Sequence, residues 1–561
     1  MTQLPGPQTV QGAFDGVERR FGGLSWTPVL EDDSEGRRHA FRFPDRVAYV
    51  ALVVGSHVYQ QYFERIERGL ERNYRRLPFL WHIEEEKWMP LERVFLHPEG
   101  GGIDDYAAYW NENCIFCHNT RPRPGMDQDL RSDAKVRHYE SHVSELGISC
   151  EACHGEGAEH VARHANPLAR MVSGFTASQD PTIVHPERLD QEREVAVCGQ
   201  CHAQRLPADR EAVIDYLTQG PSFRPGDRLA EHVEPIVAET SGIDPHDSRP
   251  FRPRFWKDGT PRLTAYEYQA VTSSPCFEAG ALRCGSCHRM HAADDGQVVD
   301  ARGQVEPSLV AGQGDGVCIQ CHDEFGQAVA EHTGHASESA GSRCLACHMP
   351  RIVYGLLDVR RSHRIESPDP QRDIEAGRPH ACTLCHLDRD GAWVATEMTR
   401  IFGREFGPPR SRPDKAPLDI PDALASLLSG DVLQRAVAAK HFGSADAAVT
   451  ARGKAFLLAG LIATLGDGYP AIRHLAQRSL RRLSDELALG WEARLTEEAL
   501  FGSAEARRAL IDGLFSDLER KKDAFDDPPP NTMIDDELRV DLRGLAHMLN
   551  LQDSNVISIG E

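Results

Sequence analysis

Seven copies of one five-residue pattern, Cys-x-x-Cys-His, recur along the chain and constrain its fold more than any other feature. They use fourteen of the fifteen cysteines and leave only Cys276. Their first cysteines are Cys114, Cys150, Cys198, Cys284, Cys318, Cys344 and Cys382. Any fold of this chain must therefore present seven similar clusters of two thiols and one imidazole.

Within each copy, the thiols and the imidazole can lie on one side of a single helical turn, because residues three and four apart are neighbours there. This spacing is typical of c-type haem attachment, in which two cysteines anchor one porphyrin and the histidine binds its iron. The sequence therefore predicts seven covalently attached haem c groups. The anchors would be Cys114, Cys117, Cys150, Cys153, Cys198, Cys201, Cys284, Cys287, Cys318, Cys321, Cys344, Cys347, Cys382 and Cys385, and the proximal ligands His118, His154, His202, His288, His322, His348 and His386.

Three other uses of paired cysteines explain the pattern less well. Zinc sites also use Cys-x-x-Cys pairs, but zinc does not require a histidine directly after the second cysteine. Redox-active dithiols share the spacing, yet one chain rarely needs seven of them. A disulfide framework suits small secreted domains, whereas this chain has 561 residues. The histidine after every pair favours haem.

The iron of each haem has a second axial position, for which neutral imidazole is the expected ligand. Of the 26 histidines, seven belong to the motifs, so enough remain to fill these positions. Local setting favours six, which follow a motif, precede one on a loop with Gly and Ser, or stand between motifs: His160, His232, His291, His332, His335 and His363. One iron is left over; either His57 or His142 fills it, or it is open.

The cysteine-free residues 1–105 predict a β-rich N-terminal module. Val47–Val54 is a short apolar, β-branched run that ends at a glycine, as strands often do. A second run, at residues 77–88, carries two tryptophans, and we expect it to pair with the first.

Residues 106–403, here called the motif segment, carry all seven copies. Pro, Gly and Asp recur between the copies without regular periodicity, so we expect short helices at the motifs, long loops and little sheet. Apolar side chains alone are too few for a core here, and porphyrins would take their place. The copies that begin at Cys318 and Cys344 are closest in sequence, so their haems should be neighbours.

The composition changes after the motif segment. Residues 404–417 predict a linker, residues 418–525 are rich in Ala and Leu at helical spacing, and residues 526–561 predict a partly disordered tail with one short helix. Two similar pieces begin at Gly430-Asp431 and Gly466-Asp467, at a spacing that resembles HEAT-type helical repeats. The expected fold is mainly α with extensive loops: a small β-rich N-terminal module, a multihaem cytochrome c domain and a C-terminal α-helical repeat domain.

The net charge of −22 argues against nucleic acid as a partner, since phosphate binding needs clustered Lys and Arg. No apolar run is long enough to predict a transmembrane segment. No secretory signal is visible at the start. Because haem c is attached on the extracytoplasmic side of a membrane, we nevertheless expect a periplasmic or extracellular location and a truncated or misassigned start.

The motifs also resemble a known group of proteins. Residues 114–118, 150–157 and 198–202 resemble the tetrahaem cytochrome of nitrification and its superfamily, which includes hydroxylamine oxidoreductase, pentahaem nitrite reductase and octahaem tetrathionate reductase. Residues 344–350, followed by Ser362-His363, resemble a segment of seven-haem cytochromes that are often fused to TPR or HEAT-type repeats. The resemblance implies the same six histidines as sixth ligands.

Two departures limit what the resemblance implies about activity. No Cys-x-x-Cys-Lys catalytic motif occurs, and Gly155-Glu156-Gly157 stands where relatives tend to have Gly-Pro-Gly. We therefore expect an electron-transfer protein whose helical domain docks a redox partner protein. The alternatives are a redox enzyme that acts on a small nitrogen or sulfur compound at one open iron, and a scaffold built around the helical domain.

Overall fold

The structure is a computed structural model that describes most of the chain. The residues outside this description are 22–23, 34–35, 101–106, 128–136, 169, 172–179, 243–250, 264, 281, 289, 292–314, 354–356, 554, 556 and 558–561. The domain boundary that the sequence predicts at residues 105 and 106 therefore lies outside the described residues. All of the predicted haem anchors and iron ligands lie within them.

The N-terminal region is rich in sheet, as the sequence predicts. An antiparallel eight-stranded sheet comprises β1 (Thr2–Gln3), β2 (Arg19–Phe21), β3 (Leu24–Asp33), β4 (Gly36–Arg42), β5 (Val47–Val54), β6 (Tyr59–Arg68), β7 (Glu71–His82) and β8 (Lys87–Pro90). Strands β2 to β8 follow one another in chain order across the sheet, and β1 pairs with β5. Its core is aromatic, with the rings of Trp26 and Phe79 stacked at 4.0 Å between centroids.

The predicted pairing of residues 77–88 with β5 is wrong. Those residues form the end of β7 and the start of β8, which pair with each other through Trp81 and Trp88. Strand β6 lies between β5 and β7. It is hidden in the sequence because several of its buried side chains are polar; Gln60, for example, is fully buried and binds the backbone of Thr9 and Gln11.

The motif segment consists of short helices and loops with three two-stranded sheets. The sheets pair Asn119–Thr120 with Glu145–Leu146, Arg205–Leu206 with Glu234–Pro235, and Arg351–Val353 with Val359–Arg361. Its α-helices span Glu151–His154, Ala158–Ala165, Gln191–His202, Arg210–Gln219, Glu267–Thr272, Pro275–Glu278, Gly316–Ile319, Asp323–Gly326, Val329–Thr333, Cys344–His348, Pro370–Ala376 and Gly391–Phe402. Three motifs adopt 3₁₀ turns instead, at Cys114–Phe116, Cys284–Ser286 and Cys382–Leu384.

The C-terminal part, here called the helical region, is helical, as the sequence predicts. Its α-helices span Asp422–Ser429, Val432–Phe442, Ala455–Thr464, Pro470–Glu486, Glu497–Phe501, Ala504–Arg520 and Leu542–Asn550. Their apolar faces form one large core that also takes in Leu80 of the sheet and Leu384 of the seventh motif. Among the described residues, no helix combines the length and apolar character needed to cross a bilayer.

Ion pairs stabilise the helical region and connect it to the rest of the chain. Arg435 binds both carboxylate oxygens of Asp467, at 2.7 and 3.3 Å. Asp431, which caps helix Val432–Phe442, also binds Arg262 of the motif segment. Arg473 forms two bonds of 3.0 Å to Glu99, which follows the N-terminal sheet. Arginines and carboxylates thus form a ladder through all three regions.

The predicted linker and tail both contact this core. Arg412 in the linker is almost fully buried and forms ion pairs with Asp414 and Asp422. In the tail, the predicted short helix is Leu542–Asn550, and its Met548 is 1% exposed. The described residues of the tail therefore pack into the core of the helical region.

Candidate functional site

Each of the seven motifs forms one tight turn. In five copies, the histidine amide donates to the carbonyl oxygen of the first cysteine at 2.8–3.0 Å: His118, His154, His288, His322 and His386. The other two copies lie at the end of helix Gln191–His202 and in helix Cys344–His348. None of the fifteen cysteines, all of which are described, forms a disulfide. The turn places both thiols and the imidazole of a copy on one side, which is the local arrangement that haem attachment requires.

Thiols from different motifs lie beside one another. Three pairs are within hydrogen-bonding distance: Cys117 with Cys201, Cys198 with Cys284, and Cys318 with Cys344. Three more are close enough for their charges to interact: Cys153 with Cys198, Cys287 with Cys321, and Cys347 with Cys382. The first two motifs thus meet the third, and motifs three to seven follow in sequence order as one continuous row.

Four motif histidines each face a second histidine that the sequence predicts as a sixth ligand. The ring centroids are 5.9 Å apart for His154 and His291, 6.3 Å for His288 and His363, 6.2 Å for His348 and His332, and 6.1 Å for His386 and His335. The two rings are nearly parallel in the first and third pairs, with interplanar angles of 8° and 9°.

This separation fits a metal ion between the two rings. A metal–imidazole bond is about 2 Å long and the ring centre lies about 1 Å behind the nitrogen, so imidazoles on opposite sides of one ion have centres about 6 Å apart. Rings in direct face-to-face contact would be closer, at about 3.5–4 Å between carbon atoms. The residues present therefore fit haem iron with two axial histidines at four of the motifs.

Hydrogen bonds to the backbone orient several of these rings. Nδ1 of His154 lies 2.7 Å from the carbonyl oxygen of Val184, and Nδ1 of His348 lies 2.9 Å from that of Glu366. Nδ1 of His335 lies 2.8 Å from the carbonyl oxygen of Thr333. If Nδ1 donates its hydrogen to a carbonyl, Nε2 carries the lone pair that binds a metal, as is usual for histidine ligands.

The other three motif histidines have different surroundings. Nδ1 of His118 is buried without a hydrogen-bond partner, and burial lowers the pKa of this imidazole to about 4. A carboxylate oxygen of Glu267 lies 3.6 Å from Nδ1 of His202, and hydrogen bonding to it raises the pKa of His202. The ring of His322 lies 6.3 Å from that of Phe325. In the described part of the chain, none of these three rings faces another histidine ring.

Two predicted sixth ligands are bound to other side chains. His232 lies 2.8 Å from the hydroxyl oxygen of Ser222 through Nδ1 and 3.1 Å from Asp227 through Nε2, so both of its nitrogens are occupied. His160 lies 3.0 Å from Asp180 through Nδ1, and its ring neighbours that of His164. The structure thus places both away from the four imidazole pairs.

The remaining candidates lie at the surface. His57 is exposed in the turn between β5 and β6, and His142 is exposed on an isolated bridge to Arg123. Cys276, the one cysteine outside the motifs, is half-buried and forms no disulfide. Sequence reasoning missed His185, whose ring lies 6.4 Å from that of His154, and Glu267, because neither stands near a motif in the chain.

The thiol geometry also bears on the alternatives to haem. Among the described residues, the donor atoms of three potential metal ligands converge within 4.8 Å only at His160, His164 and Asp180. No motif cysteine belongs to that group, as a zinc site at a motif would require. Burial raises the pKa of Cys344 and of Cys382 to about 12, which disfavours a reactive thiolate at either position.

Comparison of the chain with protein-family models, with curated proteins and with solved structures finds no match.

Proposed function

We propose that this protein is a multihaem c-type cytochrome that transfers electrons along a row of seven covalently attached haems. The observation that carries the proposal is the set of four imidazole pairs with ring centres 5.9–6.3 Å apart, each joining a motif histidine to a distant one.

The residues of the motif segment have three tasks in this proposal. The paired cysteines of each turn would hold one porphyrin, and at four motifs the paired histidines would hold its iron. The interactions between thiols of different motifs would keep neighbouring cofactors close. When bound, haem would supply one-electron redox chemistry.

The proposal extends to family, location and partner. The motif sequences support membership of the multihaem superfamily of the nitrification tetrahaem cytochrome and hydroxylamine oxidoreductase. Haem c attachment supports a periplasmic or extracellular location. The helical region is proposed to be a HEAT-type repeat domain that docks a redox partner protein, since such repeats present extended binding surfaces.

The spectrum and mass of the purified protein test this proposal. We expect seven haems per chain by the pyridine haemochrome assay and an intact mass that includes all seven after denaturation. At least four should be low-spin in the ferric state. A preparation from a cell competent in haem c maturation that carries no covalent haem would overturn the proposal.

A second candidate, a redox enzyme, is favoured by His118, His202 and His322, whose rings face no other histidine in the described residues. An iron at one of these motifs with an open position would bind a small nitrogen or sulfur compound. Stopped-flow reoxidation of the reduced protein by nitrite, hydroxylamine or tetrathionate tests this function. Reoxidation no faster than in buffer, with all seven haems low-spin, would exclude it in favour of the electron carrier.

A further inference from the structure

A cavity of about 870 Å³ separates the last two motifs from the helical region. One wall contains Ala346 of the sixth motif and Cys385 of the seventh. The opposite wall contains Lys440 and His441 from helix Val432–Phe442, and Arg478 and Arg482 from helix Pro470–Glu486. The two parts of the chain therefore build this cavity together.

The lining is strongly cationic. It holds six arginines and Lys440 but only two carboxylates, those of Asp358 and Asp446. This excess of positive charge occurs in a chain whose net charge is −22. A concave site lined by one sign of charge concentrates ions of the opposite sign.

Several of these cations are bound to carbonyl oxygens, which leaves their charge uncompensated. Nη1 of Arg361 donates to the carbonyl oxygens of Leu345 and Met349, at 2.6 and 3.3 Å. Nη1 of Arg351 donates to that of Val359 at 3.3 Å, and Arg482 donates to that of Gly443. In the described residues, no carboxylate pairs with these three guanidinium groups at salt-bridge distance.

The cations also repel one another. Burial and then the neighbouring Arg478 lower the pKa of Lys440. Like charges gathered at a partly buried site are unfavourable unless an anion joins them.

A separate observation also indicates a ligand. His441 is 9% exposed, its Nδ1 lies 3.1 Å from the carbonyl oxygen of Leu384, and its Nε2 is buried with no hydrogen-bond partner. Buried polar atoms without a partner are uncommon in native proteins and often mark an absent water, ion or ligand. Because Nδ1 donates to a carbonyl oxygen, Nε2 carries the lone pair, so the partner it lacks is a hydrogen-bond donor inside the cavity, such as water or a protonated oxyanion.

We propose that this cavity binds anionic oxygen groups, carboxylate or oxyanion. Arg351 and Arg361 are its uncompensated cations, and Arg478, which also lies 3.5 Å from Glu85 and 3.9 Å from Glu84, is a third. Two sources can supply that chemistry. One is the propionate carboxylates of a haem attached at the seventh motif, and this source rests on the proposed function. The other is a free oxyanion of the sulfate or phosphate class, which does not depend on haem.

The test uses the full-length protein with its native cofactor content. Sulfate binding is measured by calorimetry at constant ionic strength for the wild type, for R351Q/R478Q and for R508Q. Arg508 lies on the exposed face of helix Ala504–Arg520 and serves as the matched control. The reduction potentials of the same three proteins are measured by spectroelectrochemistry.

The sulfate affinities and the reduction potentials together test the proposal. Sulfate binding that weakens about tenfold or more in R351Q/R478Q but not in R508Q supports a free anion as the source. If sulfate does not bind and one reduction potential is lower in R351Q/R478Q than in the wild type, haem carboxylates are the supported source. The reason is that removing positive charge near a haem favours ferric iron. If sulfate binding is absent and no reduction potential changes, the proposal is overturned.

Two checks keep these outcomes distinct. If R351Q/R478Q does not fold, K440Q/R482Q provides the same comparison, since Arg482 lies at the exposed rim of the cavity. If the protein carries no haem, the proposed function fails, and sulfate binding alone then decides whether the cavity is an anion site.

Discussion

The imidazole rings of His332 and His348 lie nearly parallel, with centroids 6.2 Å apart. His348 ends the sixth motif, whereas His332 belongs to the preceding helix Val329–Thr333. Phe325 packs on His332 at 4.4 Å between ring centroids, and the carbonyl oxygen of Glu366 accepts from the far side of His348. Each ring is thus held in place by a contact outside the pair.

Removal of His332 should therefore change the spin state of one iron. In H332A, we expect one of the seven ferric haems to become high-spin, because the iron at the sixth motif loses one of its two imidazoles. Electron paramagnetic resonance and electronic absorption measure this change. H232A is the control, since both nitrogens of His232 already bind Ser222 and Asp227. An equal high-spin gain in H232A would contradict the assignment.

Replacement of one pair of motif cysteines should remove one haem and no more. We expect C344S/C347S to carry six covalent haems by haemochrome assay and intact mass, because each turn anchors its own porphyrin. C276S should keep all seven, since Cys276 belongs to no motif. Loss of a haem in C276S would show that this thiol takes part in attachment.

The buried pair of Arg435 and Asp467 should be important for stability. Both side chains are 1–2% exposed, so R435M leaves a buried carboxylate without its cation. We expect the free energy of unfolding to fall by about 3–5 kcal/mol, measured by chemical denaturation. R435M/D467L should recover part of that loss, because it removes the unpaired charge as well.

An exposed pair in the same region provides the comparison. Arg452 and Asp526 form an ion pair at 2.7 Å, but both side chains are more than half exposed. R452M should therefore change the free energy of unfolding by less than about 1 kcal/mol. A loss in R452M as large as that in R435M would mean that burial is not the cause.

His474 should make stability depend on pH. Burial lowers the pKa of this fully enclosed imidazole to about 4, although Glu85 nearby opposes the shift. Because the unfolded imidazole titrates at about 6.5, the unfolded state binds more protons between these values, and stability falls as the pH drops through that window. Between pH 8 and pH 5, this one group should cost about 2 kcal/mol.

The pH prediction is tested by comparing variants. H474Q should show a smaller fall in the free energy of unfolding from pH 8 to pH 5 than the wild type. H547Q, at an exposed position of helix Leu542–Asn550, should follow the wild type. Identical pH profiles for H474Q and the wild type would show that His474 does not titrate on unfolding.

The fold could be predicted where local sequence decides it. The β-branched run of β5 and the Ala- and Leu-rich helices need no distant partner to be recognised. Strand β6 could not be recognised, because Gln60 and Gln61 are buried through hydrogen bonds rather than through apolar character. Patterns of hydrophobicity carry no signal for such a strand.

The site could be predicted only in part, for a related reason. The thiols and proximal histidines lie within five residues of one another, so spacing alone identifies them. The facing histidines depend on tertiary structure: His291 follows the fourth motif in the chain but faces the histidine of the second. His160 directly follows the second motif, yet it lies beside Asp180. Proximity to a motif in the sequence therefore predicted His291 and His160 equally as sixth ligands, although only His291 lies opposite a motif histidine.

The ladder of ion pairs determines whether parts of the protein can be separated from one another. Its members are Arg262, Asp431, Arg435, Asp467, Arg473 and Glu99. Each step joins two segments that are distant in the chain, and removing either partner of Arg262–Asp431 or Arg435–Asp467 leaves a buried charge behind. The helical region should therefore not be separable by limited proteolysis or truncation without destabilising what remains.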